Sequence, residues 1–196
     1  MFFRRNTAPI TWIAAFLGNP GIRYENTRHN AGFMTADIIA NELNVKINRA
    51  KFSSWTVIVK IGGQQVLLLK PQTYMNLSGN AVKQAMKYYK LPLDNVVVIS
   101  DDVSLPTGKL RVRRRGSSGG HNGLRDIIMK CGGESFPRIR IGVGTPPHEN
   151  YEMADWVLSK LNDTDKALIT DASKRAAAAL EITITKGAEY AMAEFN

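Results

Sequence analysis

Two His-Asn pairs are the first candidates for chemistry in this 196-residue sequence. His29 precedes Asn30 in the segment TRHNAG, and His121 precedes Asn122 in the segment GGHNGL. An imidazole can take a proton from water at neutral pH when a carboxylate fixes its tautomer and stabilises the cation that forms. An amide side chain can hold a carbonyl group or a developing oxyanion without adding charge of its own. These residue types predict general-base chemistry without a covalent intermediate.

A carboxylate for such a base lies at the end of a predicted buried strand. The segment NVVVIS is almost wholly apolar, as in strands covered on both faces, and Asp101 and Asp102 follow it directly. Asn19 follows another apolar run within a GNPG turn. Functional groups of α/β sheets gather where strands end, so we expect Asn19, one of the two aspartates and the loop 116–123 to lie together. The competing interpretation is structural, with His29 as a capping or loop residue and the aspartates in a strand-end turn.

Metal and nucleotide-cofactor sites are not predicted. His29, His121 and His148 share no short ligand spacing such as H-x-x-x-H, and Cys131 is the only cysteine. The segment GSSGGHNG lacks the Lys-Ser/Thr end of a P-loop, and FLGNPG lacks the dinucleotide-binding spacing. We therefore expect neither a metal nor a cofactor.

A serine hydrolase is the alternative enzyme class. Residues 116–120, GSSGG, match the G-x-S-x-G pattern between a predicted strand and a predicted helix. In this alternative Ser118 is the nucleophile, His148 is the base, and Asp126 or a neighbouring acid completes the set. Short patterns of glycine and serine also arise by chance, so the match alone does not decide between the two enzyme classes.

The charge distribution points to a polyanionic partner. Lysine and arginine number 26 against 17 acidic residues, which gives a net charge of +9. Five cations lie within residues 109–115, and a strand there would project four of them from one side: Lys109, Arg111, Arg113 and Arg115. Such a row suits the phosphates of a nucleic acid, and Arg138 and Arg140 alternate in the same way and could extend it. The competing interpretation is an edge strand that carries charge to prevent aggregation.

The predicted elements alternate between strands and helices, which indicates an α/β fold with a mixed sheet in a single globular domain. The elements expected besides the apolar strands are a helix over 31–43, a hairpin over 55–70 around Gly62-Gly63, a helix capped by Ser78 and running to 89, a helix over 122–130, a strand over 138–144 and a helical tail over 164–189. No apolar run approaches the ~20 residues of a membrane span, and the first residues do not resemble a secretory signal, so we expect a cytoplasmic protein.

Four long segments carry a resemblance to a known family, in order and with suitable spacing. They are GNPGIRYENTRHNAG, KPQTYMNLSGNAV, DDVSLPTGKLRVRRRGSSGGHNGLRDII and FPRIRIGVG. Together they resemble the bacterial-type peptidyl-tRNA hydrolase family, from about residue 10 to the end. The resemblance therefore predicts one such domain over 10–196, preceded by a short N-terminal extension over 1–9.

The resemblance implies a monomeric, metal-free esterase with a twisted mixed sheet enclosed by helices. Such an enzyme cleaves the ester that joins a peptide to the 3′-terminal ribose of tRNA, and so recycles tRNA from stalled ribosomes. His29 matches the family's catalytic histidine and Asp101 its acidic partner. The positions that match substrate-contacting or site-lining residues are Asn19, Tyr24, Met75, Asn76 and Asn122. Arg113 and Arg140 match tRNA-binding positions of the family. Arg111 is also predicted to bind tRNA, because the strand pattern places it on the same side as Arg113.

The resemblance also answers which member of each His-Asn pair matters. In the first pair it is His29; in the second it is Asn122, while His121 is expected to support the loop through a hydrogen bond to the backbone. A non-catalytic RNA-binding protein on the same scaffold is the alternative from another functional class.

Overall fold

Seven strands form one mixed sheet in the computed structural model, which describes residues 8–196. Most of the predicted N-terminal extension, residues 1–7, lies outside the described residues. The strands are β1 (Trp12–Phe16), β2 (Arg49–Lys51), β3 (Ser54–Ile61), β4 (Gln64–Pro71), β5 (Val96–Asp102), β6 (Leu110–Arg113) and β7 (Arg138–Gly142). Their order across the sheet is β2-β3-β4-β1-β5-β7-β6.

The centre of the sheet is parallel and its two margins are antiparallel. Strand β1 runs parallel to β4 and β5, and β5 runs parallel to β7. Strands β3 and β4 form the predicted hairpin, in which Gly62 and Gly63 take positive φ angles of 53° and 84°. The carboxyl ends of β1, β5 and β7 therefore lie at one edge of the sheet, where α/β proteins collect functional groups.

Helices cover both faces of the sheet. They are α1 (Ala31–Glu42), α2 (Ser78–Tyr89), α3 (Asn122–Cys131), α4 (Met153–Leu158), α5 (Asp163–Lys186) and α6 (Ala188–Phe195). One apolar core lies between the sheet and α1, α5 and α6, and a second lies between the sheet and α2 and α3. The predicted α/β class with an enclosed mixed sheet is confirmed. No helix within residues 8–196 is long and apolar enough to cross a membrane.

The central strands are fully buried because both of their faces meet helices. In β1, Ala14 and Phe16 point into the first core, and Ile13 and Ala15 point into the second. All four side chains have no exposed surface. Burial on both faces explains why β1 and β5 are continuously apolar rather than alternating.

Several elements differ from the sequence-based prediction. Ser78 does not cap α2: it is the first residue of that helix, and its hydroxyl donates to the carbonyl of Met75. The predicted helical tail is two helices, because Gly187 takes a φ of 100° between α5 and α6. Strand β2 and helix α4 were not predicted, since they have only three and six residues and carry no periodic apolar pattern.

Candidate active site

The start of α1 is pressed against the sheet at the carboxyl ends of β1 and β5. A Cβ atom on Gly32 would overlap the carbonyl oxygen of Leu17 and lie 2.7 Å from that of Ile99. Only glycine therefore permits this approach. His29 lies in the 3₁₀ turn Arg28–Asn30 directly before α1, so the close packing at Gly32 carries its imidazole to the end of β5.

His29 meets Asp101 at that point. The Nδ1 atom of His29 lies 2.8 Å and 2.9 Å from the two carboxylate oxygens of Asp101, and both residues are buried. A carboxylate at Nδ1 holds the proton on that nitrogen and leaves Nε2 as the basic atom of the neutral ring. Within residues 8–196, no protein group makes a hydrogen bond to Nε2 of His29. The pair thus has the geometry of a general base with its orienting acid.

His121 contacts the same carboxylate from the other side. Its Nε2 lies 2.9 Å from Oδ1 of Asp101, and its ring centroid lies 4.9 Å from that of His29. As expected, the other ring nitrogen supports the backbone: Nδ1 accepts from the N–H groups of Gly123 and Leu124 and caps α3. Because Nδ1 accepts these bonds, the proton of the neutral ring lies on Nε2, which donates to Asp101. The contact between His121 and Asp101 was not predicted.

The charge of Asp101 shifts the proton affinity of His29. Burial by itself lowers the pKa of His29, but the negative charge of Asp101 and the hydrogen bond to it outweigh burial, so the pKa is raised above its ordinary value. Burial by itself raises the pKa of Asp101, yet His29 and His121 hold that pKa far below its usual range. Asp101 therefore stays ionised at every pH at which His29 titrates.

The same three residues form a group with the donor types of a metal site. The nearest ligand atoms of His29, Asp101 and His121 lie within 4.8 Å of one another. A metal ion at their centre would displace the protons that both histidines place toward Asp101. The other ring nitrogen of His121, Nδ1, already accepts the backbone N–H of Gly123 in the cap of α3. The hydrogen-bonding geometry therefore fits protonated imidazole N–H groups better than metal ligands.

Asn19 lies beside the pair at the end of β1 and is buried. Its Oδ1 accepts the backbone N–H of Met75 at 2.8 Å, and its backbone forms two bonds with the side chain of Asn30. With its Oδ1 bound in this way, the side-chain NH₂ group finds no acceptor among the described residues. Asn19 therefore joins the loop after β4 to the start of α1, and its two side-chain N–H groups have no acceptor among residues 8–196.

Met75, Asn76 and Asn122 are brought to the same place by tight packing of α3. A Cβ atom on Gly123 would lie 2.6 Å from Sδ of Met75, so glycine is required between the two loops. At the start of α2, the carboxylate of Asp126 accepts the N–H of Gly79 at 2.7 Å. Asn76 and Asn122 are exposed, whereas Met75 is buried. The two amides thus face solvent from neighbouring turns.

Tyr24 lies on the rim of this group. Its ring is edge-on to that of Tyr74, with 6.3 Å between the centroids, and Tyr74 directly precedes Met75. The ring of Tyr24 is half-buried and that of Tyr74 is exposed. Of the predicted set, His29 and Asp101 are in direct contact, Asn19 is bonded to Met75, and Tyr24 contacts Tyr74 beside Met75.

Helix α4 forms a wall of the site that sequence reasoning missed. A cavity of about 410 Å³ lies beside His29 and Asp101. Its other lining residues include Val103, Ser118, Gly119, Gly120, Asn122, Leu124, Arg140, Met153 and Val157. Helix α4 is fixed to the segment before His29 by the guanidinium of Arg28, which stacks 3.8 Å from the ring centroid of Trp156 and pairs with Asp165 at 2.8 Å. No sequence motif signals this contact.

The basic strand lies at the edge of the sheet beside this cavity. Strands β6 and β7 are antiparallel, and Arg111 stands opposite Arg140, so their side chains share one face. Arg111 and Arg113 are half-buried and have no carboxylate partner within residues 8–196, whereas Nε of Arg140 lies 2.7 Å from Asp102. Lys109 and Arg115 lie outside β6, so the expected row of four aligned cations is shorter than predicted.

Arg138 does not extend the basic row, and that prediction was wrong. It is only 2% exposed, because the loop before α3 and the turn before β7 cover it. Its guanidinium donates to the carbonyl oxygens of Ser117 and Glu134 and lies 4.1 Å from the ring centroid of Phe136. Arg138 therefore holds the Gly-rich loop in place.

The arrangement of Ser118 does not favour the serine-hydrolase alternative. Ser118 lines the cavity, but within residues 8–196 no histidine makes a hydrogen bond to its hydroxyl. His148, its predicted base, is exposed and does not line the cavity. The proposed acid, Asp126, is bound to Gly79 and Lys130. The Gly-rich loop instead directly precedes His121, the N-cap of α3. Gly119 and Gly120 take positive φ angles of 54° and 83°, which favour glycine at these two positions.

Comparison with known proteins gives one consistent family. The family model described as peptidyl-tRNA hydrolase matches residues 13–196. The peptidyl-tRNA hydrolase of Caldanaerobacter subterraneus is 48% identical over 185 residues, which are 94% of this chain and 99% of the relative. That of Bacillus licheniformis is 45% identical over 94% of this chain and 97% of the relative. The crystal structure of the peptidyl-tRNA hydrolase from Acinetobacter baumannii is similar over 97% of both chains, with a TM-score of 0.88 and 32% identity.

Proposed function

This chain belongs to the peptidyl-tRNA hydrolase family, and we propose that it hydrolyses the ester between a peptide and the 3′-terminal ribose of tRNA with His29 as the general base. Membership of the family indicates that the protein is an ester hydrolase that acts on peptidyl-tRNA. One observation supports His29 as the general base. His29 places Nδ1 on a buried carboxylate, and its Nε2, beside the cavity, has no hydrogen-bond partner among residues 8–196.

The proposed reaction uses water as the nucleophile. Nε2 of His29 removes a proton from a water molecule as its oxygen attacks the ester carbonyl, and Asp101 stabilises the imidazolium that forms. The carbonyl oxygen becomes an oxyanion in the tetrahedral intermediate. When the bond to the ribose 3′-oxygen breaks, the imidazolium returns its proton to that oxygen, so free tRNA and a peptide carboxylic acid leave. The acid then releases its remaining proton to solvent and becomes a carboxylate. No covalent enzyme intermediate is needed.

Amide donors would stabilise the oxyanion in this scheme. Asn76 and Asn122 are exposed in adjoining turns, and Oδ1 of Asn19 accepts the backbone N–H of Met75. The side-chain NH₂ group of Asn19 has no acceptor among residues 8–196. Neutral donors suit this role, because they stabilise the developing charge without fixing an anion in the ground state. We propose that these asparagines hold the ester and its peptide, with Tyr24 and Met75 forming the adjoining walls.

The edge of the sheet would bind the tRNA. Arg111 and Arg113 carry positive charge that no carboxylate within residues 8–196 neutralises, and Arg140 is oriented by Asp102 at the mouth of the cavity. Guanidinium groups at this spacing can neutralise phosphates of the acceptor stem. In keeping with the family resemblance, we propose a cytoplasmic monomer. The N–H groups that His29 and His121 direct at Asp101 support a site without a resident metal.

The test is release of free tRNA from an N-acetylated aminoacyl-tRNA by the wild type and two variants. We expect His29→Ala to lose about 10²–10⁴-fold in turnover and Ser118→Ala to retain it. Loss with Ser118→Ala alone would identify a serine hydrolase. Binding of tRNA without release by the wild type would identify a non-catalytic RNA-binding protein on this scaffold.

A further inference from the structure

The positive charge of this chain is concentrated in one segment without acidic residues. Residues 43–93 hold eight lysine and arginine residues and no aspartate or glutamate. The other 145 residues hold 18 cations against 17 acids, so the segment 43–93 carries almost all of the net charge of +9. Strands β2, β3 and β4 and helix α2 belong to this segment, whereas the basic strand β6 does not. The largest excess of positive charge therefore lies outside the edge proposed to bind the acceptor stem.

Part of this charge lies on the margin of the sheet opposite β6. Strands β2 and β6 are the two outermost strands, six strand spacings or roughly 29 Å apart. Arg49 of β2 stands opposite Thr56, and Thr56 stands opposite Leu69, whose side chain lies in the core beneath α2 and α3. Paired residues share a face, so Arg49 and, two residues later, Lys51 lie on the face that carries α2.

A groove runs along that face beside α2. Two cavities of about 190 Å³ and 590 Å³ adjoin there, since Ile58 and Tyr89 line both. Ile58 is 44% exposed, so α2 leaves this part of the sheet open. Among residues 8–196, no acidic side chain lines either cavity. The cations of the groove are Lys46, Arg49, Lys51 and Lys90, and its aromatic rings are those of Tyr88 and Tyr89. We call it the Tyr88 groove.

The cations of the Tyr88 groove are not neutralised by the protein. Within residues 8–196, none of the four forms an ion pair with a carboxylate. An edge strand that carries charge to prevent aggregation would account for Arg49 and Lys51. It would not account for Lys46 and Lys90, which lie outside β2. The groove therefore suits an anionic ligand.

A strained turn fixes one of these cations against the aromatic rings. Nζ of Lys51 lies 3.4 Å from the ring centroid of Tyr88, and the ring of Phe52 lies 5.2 Å from the same centroid. Phe52 and Ser53 join β2 to β3 with φ of 56° and 50°, in the left-handed region that such residues rarely adopt. The turn is anchored because the carbonyl of Ser53 accepts the N–H of Gln72 at 2.8 Å. Surrounding contacts thus hold cation and rings together despite the strain.

Cations beside exposed aromatic rings fit single-stranded RNA. The cations can neutralise phosphates, and Tyr88 is 60% exposed despite its contacts with Lys51 and Phe52, so a base can stack on it. A duplex offers no unstacked base to such a ring. A lipid surface would require a projecting apolar face, whereas the exposed Ile58 lies within the groove.

We propose that the Tyr88 groove binds an unpaired segment of RNA, with a base stacked on Tyr88 and phosphates on Arg49, Lys51 and Lys90. This is a second RNA-binding surface, on the margin of the sheet opposite the edge proposed for the acceptor stem. It goes beyond the proposed hydrolysis and does not involve His29.

The experiment compares two fluorescent oligonucleotides of about ten nucleotides, one of uridylate and one of the same ribose-phosphate chain without bases. Fluorescence anisotropy gives the affinity of each for the full-length protein over a range of salt concentrations. We expect the wild type to prefer the uridylate chain by at least about fivefold, as stacking of one base predicts. Tyr88→Ala should lose most of that preference. The double variant Arg49→Ala/Lys51→Ala should bind both chains more weakly, with a slope of log K against log salt smaller by about 1.4.

Matched variants separate this surface from the rest of the molecule. Tyr190→Ala removes a ring that is 66% exposed on α6, and Lys174→Ala/Lys186→Ala removes two exposed cations from α5. Neither should change the binding of uridylate. Arg111→Ala/Arg113→Ala should also retain it. Every groove variant should still hydrolyse N-acetylated aminoacyl-tRNA, which shows that it is folded.

Several results would overturn the proposal. They are equal affinity of the wild type for the two chains, loss of uridylate binding in Arg111→Ala/Arg113→Ala alone, and displacement of uridylate by an acceptor-stem hairpin that lacks its single-stranded 3′ end. Binding to phosphatidylglycerol vesicles that requires Arg49 and Lys51, without binding of uridylate, would assign the groove to lipid instead. Failure of the wild type to hydrolyse aminoacyl-tRNA while it binds uridylate would contradict the proposed function and leave this inference standing.

Discussion

Nε2 of His121 lies 2.9 Å from Oδ1 of Asp101, the same oxygen that meets Nδ1 of His29. One carboxylate therefore orders two imidazoles, and the second imidazole also caps α3. Through this chain of contacts the start of α3, which carries Asn122, is tied to the group that orients the proposed base. We therefore expect His121 to position Asp101. This role can be separated by mutation from the role of His121 as the N-cap of α3.

Replacing His121 by asparagine separates those two roles. Asparagine is a favoured N-cap residue, but its shorter side chain cannot both cap α3 and reach Asp101. We expect His121→Asn to retain most of the free energy of unfolding and to lose about tenfold or more in kcat. His121→Ala should lose a similar activity and about 1 kcal/mol of stability besides. Thermal unfolding and single-turnover kinetics of the two variants provide the check; full activity in His121→Asn would refute the positioning role.

Replacing Gly32 should disturb the site through the backbone. A Cβ atom there would overlap main-chain atoms of Leu17, directly after β1, and of Ile99 in β5, which cannot rotate away. We expect Gly32→Ala to cost about 1–3 kcal/mol of stability and to lower kcat by shifting His29 away from Asp101. Asn41→Ala, at an exposed position of the same helix, is the matched control. Normal activity of folded Gly32→Ala would show that the close approach is not needed.

The three amides should differ in kinetic effect. Loss of the oxyanion donor is expected to reduce kcat by about 10²–10³-fold, whereas loss of a side chain that only holds the peptide should mainly raise KM. Alanine variants of Asn19, Asn76 and Asn122, measured with one N-acetylated aminoacyl-tRNA, identify the donor. If all three changed only KM, none of these asparagines would be the donor.

Arg113 and Arg111 should affect tRNA affinity and its salt dependence. Each contact with a phosphate releases counterions, so Arg113→Ala should weaken binding and reduce the slope of log K against log salt by about one. Binding of tRNA to catalytically impaired His29→Ala protein avoids turnover during titration. Lys174→Ala, an exposed cation on α5 at the opposite face of the sheet, should leave the slope unchanged. A slope in Arg113→Ala equal to that of the parent would show that Arg113 meets no phosphate.

Much of the site follows from sequence because simple rules govern the strands. The apolar runs of β1 and β5 indicate burial on both faces, and parallel neighbours end at the same edge, so Asn19 and Asp101 are expected to meet. The helix after His29 was predicted to within one residue at its end. These predictions depend on local pattern and on strand pairing alone.

Other features depend on packing between distant segments. Arg138 and Arg140 alternate identically along β7, and only the covering loop buries the first and leaves the second at the cavity. The contact of His121 with Asp101 requires the close approach of α3 at Gly123. Helix α4 is held by Trp156 and Arg28, which lie far apart in sequence and form no motif. Such contacts have no local signature.

The central claim is that His29, with its proton affinity set by Asp101, is the general base. The most direct measurement is the pH dependence of kcat/KM between about pH 5 and 8 for the wild type and Asp101→Asn. A base must be unprotonated, and Asp101 raises the pKa of His29, so wild-type activity should rise with pH through an inflection above the ordinary histidine value. Without the charge of Asp101, burial remains and lowers that pKa, so the inflection of Asp101→Asn should move to lower pH as its maximal rate falls. An inflection at the same pH in both proteins, or none in the wild type, would contradict His29 as the base.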